Sequence, residues 1–129
     1  MEKTVLLVDK DEEFLEINRE GLVSQGFKVA LANSAKEAME KFNSIKPDLV
    51  ITEIMLESVD AGFSLAYSMK KEKPEVPIII LSDIVRKTGI VFDLNSKEEK
   101  EWIKADEFVN KPVNTASLVC RVKKFLHEH

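Results

Sequence analysis

Three short, mostly apolar runs constrain the fold of this chain more than any other feature. They lie at residues 5–8, 49–52 and 78–81. Runs of this length are typical of central parallel strands that are covered on both faces. A polar side chain follows each run at once, and these are Asp9, Glu53 and Ser82. The sequence therefore predicts buried strands that carry polar groups at their carboxyl ends.

Helical periodicity fills the segments between the runs. We predict helices at residues 11–25, after the capping box of Ser34 and Glu37, at residues 62–71, at residues 96–104, and after the N-cap Asn114. Two further strands are predicted, an edge strand at residues 27–31 and a short strand at residues 107–109. The expected apolar stripes are Phe14, Ile17, Leu22 and Val23 in the first helix, and Ala38, Met39, Phe42 and Ile45 in the second.

Five strands that alternate with five helices predict a doubly wound (βα)5 α/β fold around a parallel sheet. In this architecture the carboxyl ends of the strands share one rim, where ligands bind. Polar residues at strand ends are expected to converge there: Asp9, Lys10, Glu53, Ser82 and Lys111. Loop residues are often polar merely because they are solvated, but that explanation would have to hold for every member of this set.

Composition and charge exclude several functions. At 129 residues the chain fits one domain, 1–129, with a single core. The net charge of -4 disfavours a nucleic-acid groove, because phosphate binding needs clustered Lys and Arg. The single cysteine, Cys120, rules out an internal disulfide, and we expect it in the core. The sequence has no apolar run of membrane length and no secretory signal, so we expect a cytoplasmic protein without membrane contact.

Two enzyme classes that use a similar architecture fit poorly. A nucleotide or flavin enzyme would need a glycine-rich phosphate loop after a strand, and the four glycines form no such motif. A Ser-His-Asp hydrolase would need a histidine near Ser82, whereas His127 and His129 both lie at the C-terminal end. We therefore expect a protein that is not an enzyme.

Four segments together resemble the receiver domain of two-component response regulators. They are Leu7-Val8-Asp9-Lys10-Asp11, Pro47-Asp48-Leu49-Val50-Ile51-Thr52-Glu53-Ile54-Met55, Ile80-Leu81-Ser82 and Phe108-Val109-Asn110-Lys111-Pro112. The resemblance covers nearly the whole chain and implies a flavodoxin-like three-layer sandwich with strand order 2-1-3-4-5. In that family, two acidic residues after strand one bind Mg²⁺. An aspartate at the end of strand three accepts a phosphoryl group from a histidine kinase.

The resemblance also assigns roles to individual residues. Asp9 stands at the first acidic position, Ser82 and Lys111 stand at positions that bind the phosphoryl group, and Phe108 stands where an aromatic residue changes rotamer. Two positions depart from the family pattern. Lys10 replaces the second acidic residue, and Glu53 replaces the phosphoacceptor aspartate.

Both departures weaken phosphoryl chemistry. Mg²⁺ requires several oxygen ligands, and Lys10 removes one of them and adds a positive charge. Asp11 is a substitute ligand by proximity, but its place at the start of a helix favours capping. The Glu53 carboxylate lies one methylene, about 1.5 Å, farther along the pocket than that of aspartate. In-line transfer tolerates such misplacement poorly. We expect no cofactor, and the weak metal candidates are Asp9 and the Met55 backbone.

The leading hypothesis is a pseudo-receiver, which keeps the fold and the signalling surface while phosphorylation and Mg²⁺ dependence are lost. In this hypothesis Glu53 accepts hydrogen bonds from Lys111, Lys10 or Ser82, and the sequence leaves the orientation of Lys10 open. We favour a fixed, active-like state, although a pair between Lys10 and Glu53 would instead lock a resting one. The alternative is a receiver that is competent for phosphorylation, with Mg²⁺ and an atypical carboxylate from Glu53, Asp48 or Asp60.

The resemblance also implies the partners. In the family the signalling surface lies on the fourth helix, the fifth strand and the fifth helix. In this chain these are residues 96–104, residues 107–109 and the helix after Asn114. We expect a protein partner there and a sensor histidine kinase upstream, and self-association into a homodimer is compatible with this surface. Trp102, on the fourth helix, is expected to pack against the neighbouring loop rather than to dock a partner.

Overall fold

The strands and helices that the structure describes follow one another in the order that the sequence predicts. The computed structural model describes residues 2–54, 56, 61–82 and 105–126. The elements are β1 (Thr4–Val8), α1 (Glu12–Ser24), β2 (Lys28–Ala32), α2 (Ala35–Ile45), β3 (Leu49–Glu53), α3 (Ala61–Glu72), β4 (Ile78–Ser82), β5 (Glu107–Asn110) and the C-terminal helix (Thr115–Leu126). The predicted helix at residues 96–104, with Trp102, lies outside the described residues, and so do His127 and His129.

Within the described residues, the strands form one parallel five-stranded sheet in the order β2-β1-β3-β4-β5. The register places Leu7 of β1 beside Leu31 of β2 and Ile51 of β3. β2 lies at an edge of the sheet, as its partly polar sequence predicts. The doubly wound α/β fold and its strand order are therefore confirmed, with four helices among the described residues.

The core lies on both faces of the sheet, because side chains alternate along each central strand. Val5 and Leu7 of β1 pack in the cluster that also contains residues of α1 and the C-terminal helix. Leu6 and Val8 pack in the cluster on the other face, with residues of α2 and α3. All four side chains are at most 1% exposed. Each such side chain contributes about 1.5–3 kcal/mol to folding by leaving water. Because both faces of the central strands are covered, their sequences are apolar throughout and do not alternate.

The rotation of α1 differs from the prediction. Leu22 is buried as expected, but Ile17 is 52% exposed and Val23 is 46% exposed. The face that meets the sheet carries Leu15 and Asn18 instead. Burial of the polar Asn18 is possible because its side-chain amide donates to the backbone oxygen of Phe14, at 2.8 Å. The predicted stripe was therefore wrong for Ile17 and Val23.

Two further burial predictions were wrong, and both concern helix faces. Ile45, in the last turn of α2, is 43% exposed, whereas Ala38 and Phe42 are buried as predicted. Cys120 is exposed on the C-terminal helix. The buried residues of that helix are Leu118 and Val122. Cys120 is two positions, roughly 200° of helical rotation, from each of them.

Capping residues define the helix starts as predicted. Asp11 is the N-cap of α1, and its side chain accepts a hydrogen bond from the Phe14 amide at 3.1 Å. Ser34 caps α2 in the same way through the Glu37 amide, at 3.1 Å. Asn114 accepts from the Ser117 amide at 2.8 Å, ahead of the C-terminal helix. Each such cap satisfies a backbone donor that would otherwise lack a partner.

Two aspartates bind backbone amides at the amino-terminal ends of the strands. Asp48 accepts a hydrogen bond from the Thr4 amide, and Asp106 accepts one from the Ile78 amide, both at 2.8 Å. Asp106 also forms an ion pair with Lys70, at 2.7 Å. These acidic groups are therefore engaged at the end of the strands opposite to the predicted rim.

None of the described helices combines the length and the apolar character that crossing a bilayer requires.

Candidate functional site

Three charged side chains meet where β1, β3 and β5 end. Asp9 follows β1, Glu53 is the last residue of β3, and Lys111 follows β5. The Lys111 ammonium lies 2.7 Å from Asp9 Oδ2 and 3.2 Å from Glu53 Oε2. Asp9 is 3% exposed and Glu53 is 5% exposed. The parallel sheet thus brings residues that are distant in sequence into one buried cluster, the Asp9–Glu53–Lys111 triad.

Both carboxylate oxygens of Asp9 have a hydrogen-bond donor. Oδ2 accepts from the Lys111 ammonium, and Oδ1 accepts from the Asp11 amide at 2.9 Å. The Asp9 amide donates to the Ala32 oxygen of β2, at 3.1 Å. Because a buried charge is costly without such partners, these contacts fix Asp9 in one orientation at the rim.

Lys111 is held by an aromatic ring as well as by the two carboxylates. Its ammonium lies 4.3 Å from the centroid of the Phe14 ring, in the first turn of α1. Burial lowers the pKa of Lys111, but the hydrogen bond to Asp9 and the charges of Glu53 and Asp9 outweigh burial and raise the pKa above its ordinary value. The ammonium therefore stays charged at neutral pH.

Replacement of this ammonium should destabilise the protein. In Lys111→Met the side chain keeps much of its apolar length, while Asp9 and Glu53 remain buried with no cation between them. Removing one partner of a buried pair leaves an uncompensated charge, so we expect a loss of about 3 kcal/mol at neutral pH. Urea unfolding measures this loss. An unchanged midpoint would mean that water replaces the ammonium without cost.

The stabilisation by Lys111 should also disappear at alkaline pH. Its pKa is higher in the folded state than in the unfolded chain, so its contribution is complete below the unfolded pKa and is lost as the pH rises through the folded pKa. The unaltered protein should therefore lose more stability than Lys111→Met above that range. Unfolding midpoints of both proteins across alkaline pH give the comparison, and parallel curves would contradict it.

The other proposed site residues are placed differently. Lys10 is exposed, and none of the ion pairs among the described residues includes it. Asp11 is also exposed and caps α1. Phe108 is half-buried against the core face that α2 and α3 cover. The structure describes Ser82 only as the last backbone position of β4. Met55 and Asp60 lie outside the described residues.

Gly62 shapes the site, although its position in the sequence predicts only the start of a helix. Its amide donates to the Ile54 oxygen at 2.7 Å. A Cβ at this position would stand 2.3 Å from the backbone oxygen of Glu53 and 2.5 Å from Ile54 Cα. Only glycine lets α3 begin this close to the end of β3. The pair of small residues Ala61 and Gly62 after the strand was the available signal.

Phe14 was also missed as a site residue, because its place in a helical stripe indicated only core packing. The ring is half-buried and covers the Lys111 ammonium from α1. No pattern in the sequence links residue 14 to residue 111. The contact exists because α1 and the C-terminal helix pack together on the same face of the sheet, and Lys111 lies shortly before that helix.

Comparison with sequence families gives one match over most of the chain. A family model described as the response regulator receiver domain matches residues 5–123. Among curated proteins, the alkaline phosphatase synthesis transcriptional regulatory protein PhoP of Bacillus subtilis (strain 168) is 28% identical over 126 residues, which make up 98% of this chain and 49% of that protein. Response regulator SaeR of Staphylococcus aureus (strain USA300) is 26% identical over 122 residues, 95% of this chain and 50% of that protein. The chain thus spans about half the length of these curated relatives.

Comparison with solved structures agrees on the fold. A CheY-like response regulator receiver domain protein from Methanospirillum hungatei JF-1 superposes with a TM-score of 0.82 at 24% identity, over 99% of this chain and 96% of that one. A two-component response regulator from Clostridium difficile superposes with a TM-score of 0.80 at 25% identity, over 98% of this chain and 97% of that one. The order and arrangement of the elements are thus shared with solved receiver-type chains.

Proposed function

Because the chain belongs to the response regulator receiver domain family, we propose that it acts in two-component signalling as a pseudo-receiver. Receiver domains are signalling modules of two-component systems, in which they interact with kinases and effector domains. The proposed module binds its partner without a switch by aspartyl phosphorylation. One observation carries the proposal: the rim position at the end of β3 holds Glu53, and its carboxylate already faces the Lys111 ammonium.

The geometry at Glu53 disfavours it as a phosphoryl acceptor. Its carboxylate reaches about one methylene, roughly 1.5 Å, beyond the place of an aspartate carboxylate. Catalysis of phosphoryl transfer consists largely of positioning, so a misplacement of this size is costly. Glu53 is 5% exposed and 3.2 Å from Lys111. These contacts support a role for Glu53 as a fixed anion that imitates part of the charge of a phosphoryl group.

The donor set fits Mg²⁺ poorly. The ion prefers near-octahedral oxygen coordination, and both Asp9 oxygens already accept hydrogen bonds. Asp11 is engaged as the helix cap, and Lys10 supplies no oxygen. Within the part of the chain that the structure describes, no group of three or more His, Cys, Asp or Glu residues could hold a metal ion. We therefore propose that Lys111 supplies the positive charge of the site.

The partner surface that we propose includes β5 and the C-terminal helix. Glu107 and Arg121 form an ion pair that joins these two elements. Phe108, the next residue of β5, connects this surface with the core. We propose that a protein partner docks here while the triad holds the surface in one active-like state. A sensor histidine kinase belongs to the same proposal as an upstream partner.

Incubation with a small phosphoryl donor tests this function. The protein is treated with acetyl phosphate, with and without Mg²⁺, and its intact mass is followed. We expect no Mg²⁺-dependent adduct that hydroxylamine releases. A conventional receiver domain in the same reaction is the positive control, and Glu53→Gln is the matched variant of the rim position.

A labile, Mg²⁺-dependent adduct would overturn the proposal in favour of the competent receiver. Peptide mapping then identifies the carboxylate. Loss of the adduct in Glu53→Gln would assign it to the rim. Retention of the adduct would direct attention to other carboxylates, of which Asp48 lies at the opposite edge and binds the Thr4 amide.

A further inference from the structure

The segment between β5 and the C-terminal helix, residues 111–115, contacts α1 at both of its ends. At the first end the Lys111 ammonium lies over the Phe14 ring, 4.3 Å from its centroid. At the second end the Thr115 hydroxyl donates to Asn18 Oδ1, at 3.0 Å. Phe14 and Asn18 are four positions apart on α1, so they lie on one face of the helix. One turn of α1 therefore holds both ends of the segment.

Asn18 links the Thr115 contact to the turn of Phe14, because both polar atoms of its side chain have a hydrogen-bond partner. It is 3% exposed. Its Nδ2 donates to the Phe14 backbone oxygen at 2.8 Å, while its Oδ1 accepts from Thr115. A buried amide with both ends engaged is costly to rotate, because rotation leaves polar groups without partners. Asn18 thus fixes the position of Thr115 relative to the turn that carries Phe14.

Close packing supports the same contact. A Cβ at Gly21 would stand 2.1 Å from the Thr115 methyl group. Gly21 is one helical turn beyond Asn18, so the start of the C-terminal helix rests directly on the surface of α1. The second end of the segment is therefore held by a hydrogen bond and by steric fit together.

The Phe14 ring has an electrostatic role at the first end. Within the triad, the Lys111 ammonium lies between the carboxylates of Asp9 and Glu53. The Lys111 side chain is 17% exposed. The ring covers another side of the ammonium, where its π face attracts a cation. It thereby takes a place that water would otherwise occupy beside the charge.

We infer that Phe14 and Asn18 are positioning residues, through which α1 sets where Lys111 stands between Asp9 and Glu53. The inference deepens the proposed function and rests on it, because it assumes that the contacts of Lys111 with Asp9 and Glu53 define the state of the site. A partner that moves the start of the C-terminal helix would move Thr115, and through residues 111–115 it would move Lys111. The partner surface and the triad are then coupled through residues 111–115, which α1 holds at both ends.

Acylation of individual lysines tests the inference. The folded full chain is treated with a limiting amount of an amine-acylating reagent at mildly alkaline pH, and each lysine is quantified by peptide mass spectrometry. In Phe14→Leu, which keeps an apolar side chain without the π face, Lys111 should react about two- to fivefold faster. Phe14→Tyr keeps the ring and should restore the slow rate.

A second pair of variants addresses the other end of the segment. Thr115→Val keeps the shape and removes the hydroxyl, so Lys111 should again react faster. Thr115→Ser keeps the hydroxyl and loses only the methyl group that packs at Gly21, so Lys111 should react more slowly in it than in Thr115→Val. Lys10, which is exposed, normalises the reagent. Lys70, paired with Asp106 at the opposite edge, reports general loosening.

The inference is overturned if Lys111 reacts at the unaltered rate in both Phe14→Leu and Thr115→Val. It is equally overturned if Lys70 accelerates as much as Lys111, because the variants would then only weaken the fold. This assay involves no phosphoryl donor. A phosphoryl adduct on Glu53 would therefore overturn the pseudo-receiver proposal without changing the lysine acylation rates. Unaltered acylation rates in the variants would overturn the inference about Phe14 and Asn18 without producing such an adduct.

Discussion

The double variant Lys10→Asp/Glu53→Asp is expected to take up a phosphoryl group from acetyl phosphate in the presence of Mg²⁺. It restores a second carboxylate beside Asp9 and shortens the acceptor by one methylene. The metal would then have oxygen ligands in place of an exposed amine, and the acceptor would lie at the proper distance. Because a misplacement of about 1 Å costs on the order of 100-fold in rate, we expect labelling to rise by at least that factor. Intact-mass spectrometry over time measures it.

The single variants separate the two contributions. Glu53→Asp alone lacks the second acidic residue, and Lys10→Asp alone keeps the longer acceptor, so each should label far more slowly than the double variant. Lys10→Asp/Glu53→Gln has the restored acid but no acceptor and is the matched control. If the double variant labels no faster than the unaltered chain, these two positions are not what disables the site.

Gly62→Ala is expected to destabilise the protein by about 3 kcal/mol. The added methyl group would stand 2.3 Å from the Glu53 oxygen and 2.5 Å from Ile54 Cα, which are backbone atoms that no rotamer change can move away. α3 must shift from the end of β3, and the hydrogen bond from the Gly62 amide to Ile54 lengthens. For a chain of this size we expect the melting temperature to fall by about 10 °C. Thermal and urea unfolding measure the change.

Gly26→Ala is the matched control for this substitution. Gly26 has φ of 94°, and nothing lies within 4 Å of a Cβ built there. The cost at this position is conformational only, about 1–2 kcal/mol. Equal losses in the two variants would show that α3 adjusts easily and that Gly62 is not needed for the close approach.

Much of the fold was predictable because its signals are local. Burial on both faces makes a central strand apolar throughout, so β1, β3 and β4 were recognisable from four-residue runs. Capping residues are read from a few neighbouring positions, and Asp11, Ser34 and Asn114 cap helices as expected. These features depend on the chain nearby and not on distant contacts.

Helix faces were less predictable, because their rotation depends on what they pack against. α1 contains more apolar residues than its buried face accommodates, and Asn18 replaces one of them in the interior. Asn18 is accepted there because Thr115, distant in sequence, donates to it. The exposure of Ile17, Ile45 and Cys120 follows from the same dependence on tertiary packing.

The candidate site divides in the same way. The sequence by itself determined that Glu53 ends a buried strand, that Lys10 follows Asp9, and that polar groups gather at one rim, because strand direction and residue identity are local properties. Only the tertiary structure decided that Lys111 rather than Lys10 contacts Glu53, that Phe14 covers the ammonium, and that α3 begins against β3 at Gly62. Those contacts join residues far apart in the chain, and their distances follow from how the helices pack on the sheet.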